Sequence, residues 1–159
     1  MMTLTDEARV VPVQIGADRE LGEFWAEAVL SRLGRCYLNC AEVVMRTWGA
    51  GEVGALYCEG WAVVPSLWNI PFEHAWIELP DGRIIDPTWV YEHYDPGTRY
   101  LASVKFTREQ WRAWLTTPER NARNMIPLTV WHADSRTYHQ RVVMLAAHQW
   151  VNVEEKPGA

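Results

Sequence analysis

The sequence predicts an α+β fold, in which N-terminal helices pack on a small antiparallel sheet and a helical extension follows at the C-terminus. Two observations predict this fold. Between Asp18 and Gly51, two segments repeat apolar residues at spacings of three and four, which is the period of a helix. Residues 56–65 and 73–89 are instead rich in strand formers, and the second of these segments contains a turn signal typical of a hairpin.

The composition is that of one folded, acidic domain. The 159 residues are 48% hydrophobic and 22% charged, and they contain no repeat, linker or low-complexity tract. We therefore predict a single domain over 1–159, with a core of about 18–90 and a C-terminal extension of about 91–155. The formal net charge of -5 argues against nucleic acid as a partner, because phosphate binding needs a basic surface.

The N-terminal residues and the cysteines predict a cytoplasmic protein. The segment MMTLTDEARVVPV has early acidic residues and no apolar stretch of signal-peptide length, and no run approaches the roughly 20 apolar residues of a membrane span. Three cysteines cannot all pair within one chain, which favours a reducing compartment. We expect no membrane partner, and the sequence leaves the oligomeric state open.

The first elements are a short extended segment and a helix. Val11, Val13 and Ile15 alternate with polar residues or proline, which predicts an edge strand or an ordered arm. Asp18 is a suitable N-cap for the helix that follows, and Gly34 stands where a C-cap glycine would end it.

A second helical pattern begins at Cys36 and ends at Gly49 and Gly51. Cys36 is thus expected in the first turn, where unpaired N–H groups and the macrodipole stabilise a thiolate. Cys40 lies one turn further along the same face, and we interpret it as a small core residue.

A strand is predicted over residues 56–65, which end at a proline. Gly60 within it indicates a bulge or the close approach of another backbone. Cys58 lies in this apolar run, and we expect it to be buried and inert.

The turn of the predicted hairpin determines which side chains share a face. The residues Leu79-Pro80-Asp81-Gly82 fit a type I turn followed by a left-handed glycine, giving a three-residue loop. Such a loop places Trp76 opposite Asp86 and makes His74 the diagonal neighbour of Asp86 on the same face. A two-residue Asp-Gly turn would set Ile77 opposite Asp86 and move the carboxylate to the other face.

Beyond the hairpin, the pattern predicts mostly helices. Residues 91–97 are turn-like, and Thr107-Arg108-Glu109-Gln110 is a capping box that opens a helix. Met125 to Trp131 is interpreted as a short extended piece. Asp134 or Ser135 is a suitable cap for a final helix that runs through Val142 toward Trp150.

Together these elements predict a catalytic triad. Cys36 is the candidate nucleophile, His74 the general base and later acid, and Asp86 the group that orients the imidazole. The backbone N–H of Cys36 is the expected oxyanion donor. For the second donor or for substrate contact, the sequence offers three weaker candidates: Asn39, Trp76 and Trp89.

Three short motifs resemble those of a known superfamily. They are Gly34-Arg35-Cys36-Tyr37 at a helix start, His74-Ala75-Trp76 in a strand, and Asp86-Pro87-Thr88 at the end of a second strand. In this order they resemble the transglutaminase-like superfamily of papain-type folds, above all its small uncharacterised bacterial and phage members. The resemblance covers residues 35–89 and implies a papain/transglutaminase-like core.

The resemblance also implies roles for individual residues. Cys36 corresponds to the nucleophile, His74 to the base and Asp86 to the third member of the triad. Superfamily members include acyltransferring transglutaminases, peptidases, deamidases, an amidase and inactive scaffolds. This chain is compact between His74 and Asp86 and lacks the calcium-binding and barrel domains of animal transglutaminases, so protein cross-linking is not implied.

The leading hypothesis is a cysteine hydrolase or acyltransferase that acts on a peptide, protein or small amide and needs no cofactor. One alternative is a catalytically inactive binding module that uses a Trp-rich groove, since the chain has 10 Trp and several flank the hairpin. Another is a metal site that uses the three cysteines and His74, but Cys-x3-Cys without a further close pair is poor zinc spacing. We expect no metal.

Overall fold

The fold is a mixed arrangement of helices and antiparallel sheets. The computed structural model describes residues 8–11, 13–116, 139–145 and 149–155. The helices are α1 (Arg19–Ala28), α2 (Cys36–Gly49) and α3 (Arg108–Leu115), with a short 3-10 helix at Pro65–Leu67. The strands are β1 (Ala8–Val11), β2 (Gln14–Ile15), β3 (Leu56–Val63), β4 (Pro71–Glu78), β5 (Ile84–Ile85), β6 (Arg99–Phe106), β7 (His139–Met144) and β8 (Trp150–Glu155).

Two antiparallel sheets carry the fold. The larger has the order β2-β6-β3-β4-β5, and the smaller has the order β1-β8-β7. Helix α2 packs on one face of the larger sheet, where Val43 and Val44 are fully buried against residues such as Tyr57 and Ile77. The described chain therefore has the predicted α+β character, with α2 covering the sheet.

Helix α1 begins as predicted but ends early. Asp18 caps it by accepting a hydrogen bond from the backbone N–H of Leu21 at 3.0 Å. The predicted end at Gly34 is wrong, because the helix stops at Ala28 and Leu30 takes a left-handed φ of 51°. The chain turns there so that the Ser31 hydroxyl reaches the carbonyl oxygen of Pro87, at 2.6 Å. A tertiary hydrogen bond thus outweighs the local helical pattern.

The predicted bulge at Gly60 is present in the pairing of β3 with β6. Glu59 pairs with Val104 and Gly60 with Ala102, so that Ser103 is the extra residue. A Cβ on residue 60 would lie 2.2 Å from the carbonyl oxygen of Leu101. Only glycine allows the two backbones to approach this closely.

The hairpin formed by β4 and β5 has the predicted three-residue loop. The N–H of Leu79 donates to the carbonyl oxygen of Arg83 at 2.9 Å, and that of Gly82 donates to Leu79 at 2.9 Å. Gly82 has a φ of +86°, which is the left-handed position that the turn requires. Ile77 pairs with Ile85, so Trp76 faces Asp86 as predicted.

Among its described residues, the C-terminal extension is only partly helical. Helix α3 is present, and its capping box joins the Thr107 N–H to Gln110 Oε1 at 2.9 Å and the Gln110 N–H to Thr107 Oγ1 at 3.2 Å. The predicted final helix is wrong over residues 139–144 and 150–155, which form the strands β7 and β8, while its predicted cap at Asp134 or Ser135 lies outside the described residues.

The final segment is extended because of its tertiary contacts. Asn152 is buried and donates a hydrogen bond to the carbonyl oxygen of Ala102 on the larger sheet, at 2.8 Å. Pairing with β1 and burial of Val143 and Val153 outweigh the helical spacing of the sequence. The extended piece predicted over 125–131 lies outside the described residues. In the described part of the chain, every helix is too short or too polar to cross a bilayer.

Candidate active site

Cys36 is the first residue of α2, as predicted. Its side chain is half-buried and its thiol is free. The preceding Arg35 makes no side-chain capping hydrogen bond. The first-turn N–H groups of α2 thus keep the donor capacity that favours negative charge at this helix end.

His74 and Asp86 form a buried pair on the hairpin. The distance between His74 Nε2 and Asp86 Oδ2 is 2.8 Å, and the two side chains are 1% and 2% exposed. This contact follows from the register of the three-residue loop, which places His74 diagonal to Asp86 on one face. The sequence therefore predicted the pair and the turn that makes it.

Four hydrogen-bond donors surround the Asp86 carboxylate. Oδ2 accepts from the Tyr100 hydroxyl at 2.9 Å as well as facing His74, while Oδ1 accepts the backbone N–H groups of Thr88 at 3.1 Å and Trp89 at 3.2 Å. Tyr100 was not among the predicted site residues. The run of strand formers from Tyr100 to Phe106 is the signal that could have revealed a strand here.

The buried pair is charged near neutral pH. Burial by itself lowers the pKa of His74, but the charge of Asp86, its hydrogen bond and the Cys36 thiol together raise that pKa to about 9. Burial opposes ionisation of Asp86, yet the charge of His74 and hydrogen bonds from His74, Tyr100 and Trp89 lower its pKa. The result is an imidazolium held against a carboxylate.

Cys36 faces the same imidazole. Its thiol supplies a hydrogen-bond and a charge contribution to the raised pKa of His74. Because Nε2 of His74 is directed at Asp86, the remaining nitrogen, Nδ1, is the one available to the thiol. The structure thus brings Cys36, His74 and Asp86 together in one array.

The Trp89 ring packs against a face of the His74 imidazole. Its ring stacks on His74 with centroids 3.8 Å apart and planes 13° apart, and the ring of Phe72 meets Trp89 edge-on at 6.0 Å. Trp89 is half-buried, so it retains surface that a ligand can reach. Its predicted contact with substrate remains compatible with this position.

Asn39 does not lie free in the site. Its side-chain NH2 group donates to the carbonyl oxygen of Arg32 at 2.8 Å and to Thr88 Oγ1 at 3.0 Å, which uses both amide hydrogens. The proposed oxyanion role of Asn39 is therefore corrected. Its amide instead ties α2 to the loop before it and to the segment after Asp86.

Trp76 is also not a substrate contact. Its side chain is fully buried and packs against the ring of Tyr100, with centroids 5.1 Å apart. A substrate cannot reach a side chain without exposed surface, so that prediction is corrected. Trp76 supports Tyr100, which in turn holds Asp86.

The other two cysteines lie in separate parts of the core. The Cys40 thiol donates to the carbonyl oxygen of Ala75 at 3.2 Å, and Cys58 belongs to a second apolar cluster with Trp76 and Ala62. Burial raises the pKa of both thiols. The described residues contain no group of three or more His, Cys, Asp or Glu side chains arranged for a metal ion, so the alternative metal site is not assembled.

Removing the Tyr100 hydroxyl is expected to weaken the fold. In Tyr100→Phe, Asp86 Oδ2 loses one of its two donors in a buried setting, so unfolding free energy should fall by about 2 kcal/mol. Urea denaturation at pH 7 measures this loss. The matched control is Tyr91→Phe, because the Tyr91 side chain is exposed and its hydroxyl makes surface contacts, with the Glu23 carbonyl oxygen at 3.5 Å and with Glu27. Equal losses in the two variants would contradict the assigned role of Tyr100.

Comparisons with known proteins give no match. No family model, curated protein or solved structure matches this chain. The geometry of Cys36, His74 and Asp86 is thus the basis for any functional assignment.

Proposed function

We propose that the chain is a thiol-dependent hydrolase or acyltransferase that acts on an amide or peptide-type bond. In this proposal its core, about residues 18–90, is of the papain/transglutaminase-like type, and Cys36, His74 and Asp86 form the triad. The observation that carries the proposal is the buried 2.8 Å contact between His74 and Asp86, with Cys36 facing the same imidazole. This combination is what nucleophilic catalysis by a cysteine requires.

The first chemical step forms an acyl-enzyme. The Cys36 sulfur, as a thiolate, attacks the carbonyl carbon and forms a C–S bond. The His74 imidazolium then gives its Nδ1 proton to the leaving nitrogen as the C–N bond breaks. The products of this step are a free amine, a thioester on Cys36 and a neutral imidazole.

The second step regenerates the thiolate. Neutral His74 removes a proton from water, and the resulting oxygen attacks the thioester to give a carboxylic acid. If an amine attacks instead, the product is a new amide. Either way the C–S bond breaks and the imidazole becomes an imidazolium again, which Asp86 stabilises through the contact at Nε2.

Negative charge on the carbonyl oxygen is stabilised by the start of α2. The backbone N–H of Cys36 is the proposed donor, because first-turn N–H groups have no acceptor within the helix. The positive end of the helix dipole acts in the same direction. With Asn39 occupied elsewhere, the second donor is another group.

Trp89 and Phe72 are the proposed apolar contacts for substrate beside His74. Trp89 stacks on the imidazole, Phe72 adjoins it, and both rings have exposed surface. Substrate groups bound here would lie next to the reacting carbonyl. The stacked ring would also limit access of water to the His74–Asp86 contact.

Alkylation with iodoacetamide near neutral pH tests the proposal. Cys36 is expected to react on the order of a hundredfold faster than Cys40 or Cys58, because those thiols are fully buried and their pKa values are raised. Peptide mapping by mass spectrometry gives the three rates.

A substrate screen follows from the labelling. Peptide, isopeptide and glutamine-amide compounds are tested on the wild type and on Cys36→Ala, with Cys58→Ala as the control cysteine variant. Turnover must disappear in Cys36→Ala and persist in Cys58→Ala. If Cys36 reacts no faster than the other cysteines and Cys36→Ala keeps the turnover of the wild type, the protein is not a Cys36 enzyme. If the wild type turns over none of the compounds and Cys36 is not selectively labelled, a binding module is favoured.

A further inference from the structure

A second concave site lies between α1, the C-terminal end of α2 and the tip of the hairpin. It is a cavity of about 390 Å³ within the described part of the chain. This volume falls in the range of pockets that hold small ligands. Thr47, which lines it, lies eleven residues after Cys36 on α2, so the two are about 16 Å apart along the helix axis. Cys36, His74 and Asp86 do not line the cavity, although Ile85, which does, directly precedes Asp86.

The walls of the cavity are mainly apolar. Leu21 and Trp25 of α1 face Leu79 and Ile85 of the hairpin across the space. Phe24 extends the wall outward, since its ring is 61% exposed and meets Trp25 edge-on at 5.2 Å. A flat apolar group bound here would cover apolar side-chain surface that no other part of the described chain covers.

The rim of the cavity is acidic. It contains the carboxylates of Glu52 and Asp81 and the guanidinium of Arg83. Arg83 is already neutralised, because it contacts Asp81 Oδ2 at 2.8 Å and Asp18 Oδ2 at 3.3 Å. Glu52 is exposed and makes no ion pair with any described residue. The charge left without a partner is therefore negative.

We propose that this cavity binds a small ligand with an apolar, preferably aromatic, body and one positive charge. The body lies between α1 and the hairpin, and the cation approaches the Glu52 carboxylate at the rim. Aromatic walls add to the attraction, because the faces of Phe and Trp rings favour cations. This site is independent of the proposed chemistry at Cys36.

Three probes that share a phenylethyl body and differ in charge test the proposal: 2-phenylethylamine, 2-phenylethanol and 3-phenylpropanoate. Binding to the full chain is measured by ligand-observed NMR at pH 7 and low salt. The amine is expected to bind with a Kd of about 1 mM or tighter, since it has few atoms, and about tenfold more tightly than the anion. The alcohol should lie between them.

Single substitutions then locate the site. Glu52→Gln should weaken the amine about fivefold and leave the alcohol unchanged, whereas Phe24→Ala should weaken both. The matched control is Glu42→Gln, which removes an exposed carboxylate on α2 away from the cavity. Both substituted cavity residues are exposed, so folding should persist, and circular dichroism checks it.

The results separate this inference from the proposed enzyme. Binding is repeated in Cys36→Ala and should be unchanged, so a failed thiol chemistry leaves it standing. The inference is overturned if the amine shows no binding at about 10 mM, well above the expected Kd, or if the anion binds as tightly. It is also overturned if Glu52→Gln affects the amine no more than Glu42→Gln does.

Discussion

Replacing Asp86 with Asn is expected to disable the candidate site and weaken the fold together. The pKa of His74 should fall well below about 9, because only the smaller contribution of Cys36 then opposes the effect of burial. Alkylation of Cys36 at pH 7 should slow on the order of tenfold or more, since a neutral imidazole no longer stabilises the thiolate. Unfolding free energy should fall by about 3 kcal/mol.

The expected loss of unfolding free energy in Asp86→Asn is large because the Asp86 carboxylate accepts four hydrogen bonds. His74 and Tyr100 donate to one oxygen, and the N–H groups of Thr88 and Trp89 donate to the other. An asparagine has one oxygen and one NH2 group. If the NH2 group faces the N–H groups of Thr88 and Trp89, donors meet donors; if it faces His74, the imidazole must carry its proton on Nδ1 and cannot accept one from Cys36. Buried donors left without acceptors are costly. The surroundings of residue 86 therefore favour aspartate over asparagine, although the two side chains have nearly the same shape.

The pH dependence of stability gives a further readout of the same variant. The folded-state pKa of His74 lies above 6.5, so its contribution to stability is complete below about 6.5 and is lost as pH rises through about 9. Asp86→Asn should remove most of this fall in stability. NMR titration of His74 and urea denaturation from pH 6 to 10 measure both effects.

The matched control is Glu42→Gln, which also removes one negative charge but does so away from the triad. Glu42→Gln removes one exposed carboxylate from α2. In this variant, the alkylation rate of Cys36 and the pKa of His74 should match those of the wild type. If Asp86→Asn leaves the pKa of His74 near 9, the buried pair does not govern the imidazole and the triad assignment is wrong.

The hairpin was predictable because short-range chemistry determines it. Proline and glycine fix the backbone angles of the turn between Leu79 and Arg83, and the turn fixes the register. Once the register is set, the strand period places His74 on the same face as Asp86. Cys36 was likewise predictable from the helical period that starts beside it. In both cases, residues close in sequence determine the local conformation.

The missed features depend on distant parts of the chain. Tyr100 reaches Asp86 only because β6 pairs with β3, and the early end of α1 depends on Ser31 meeting Pro87. The burial of Trp76 depends on Tyr100 packing over it from the neighbouring region of the sheet. β7 and β8 gain their strand conformation from pairing with each other and with β1. Local patterns contain none of these contacts.

Replacing Gly60 with Ala is expected to disturb the fold and the site from a position outside the triad. The new Cβ would lie 2.2 Å from the carbonyl oxygen of Leu101 and 2.7 Å from the backbone nitrogen of Ser103. Both atoms belong to the backbone of β6, so the strand itself must move. Unfolding free energy should fall by about 3 kcal/mol, measured by urea denaturation.

The displacement of β6 is expected to affect the triad because Gly60 lies between β4, which carries His74, and β6, which carries Tyr100. On one side it pairs with His74 of β4, and on the other with Ala102 of β6, two residues from Tyr100. Pushing β6 away should lengthen the contact between Tyr100 and Asp86, so alkylation of Cys36 should slow as well. Gly49→Ala is the control, because a Cβ there meets nothing within 4 Å in a helix that favours Ala by up to about 1 kcal/mol. If Gly60→Ala is as stable as Gly49→Ala, the bulge does not hold the strands in the close approach on which the buried His74–Asp86 pair depends.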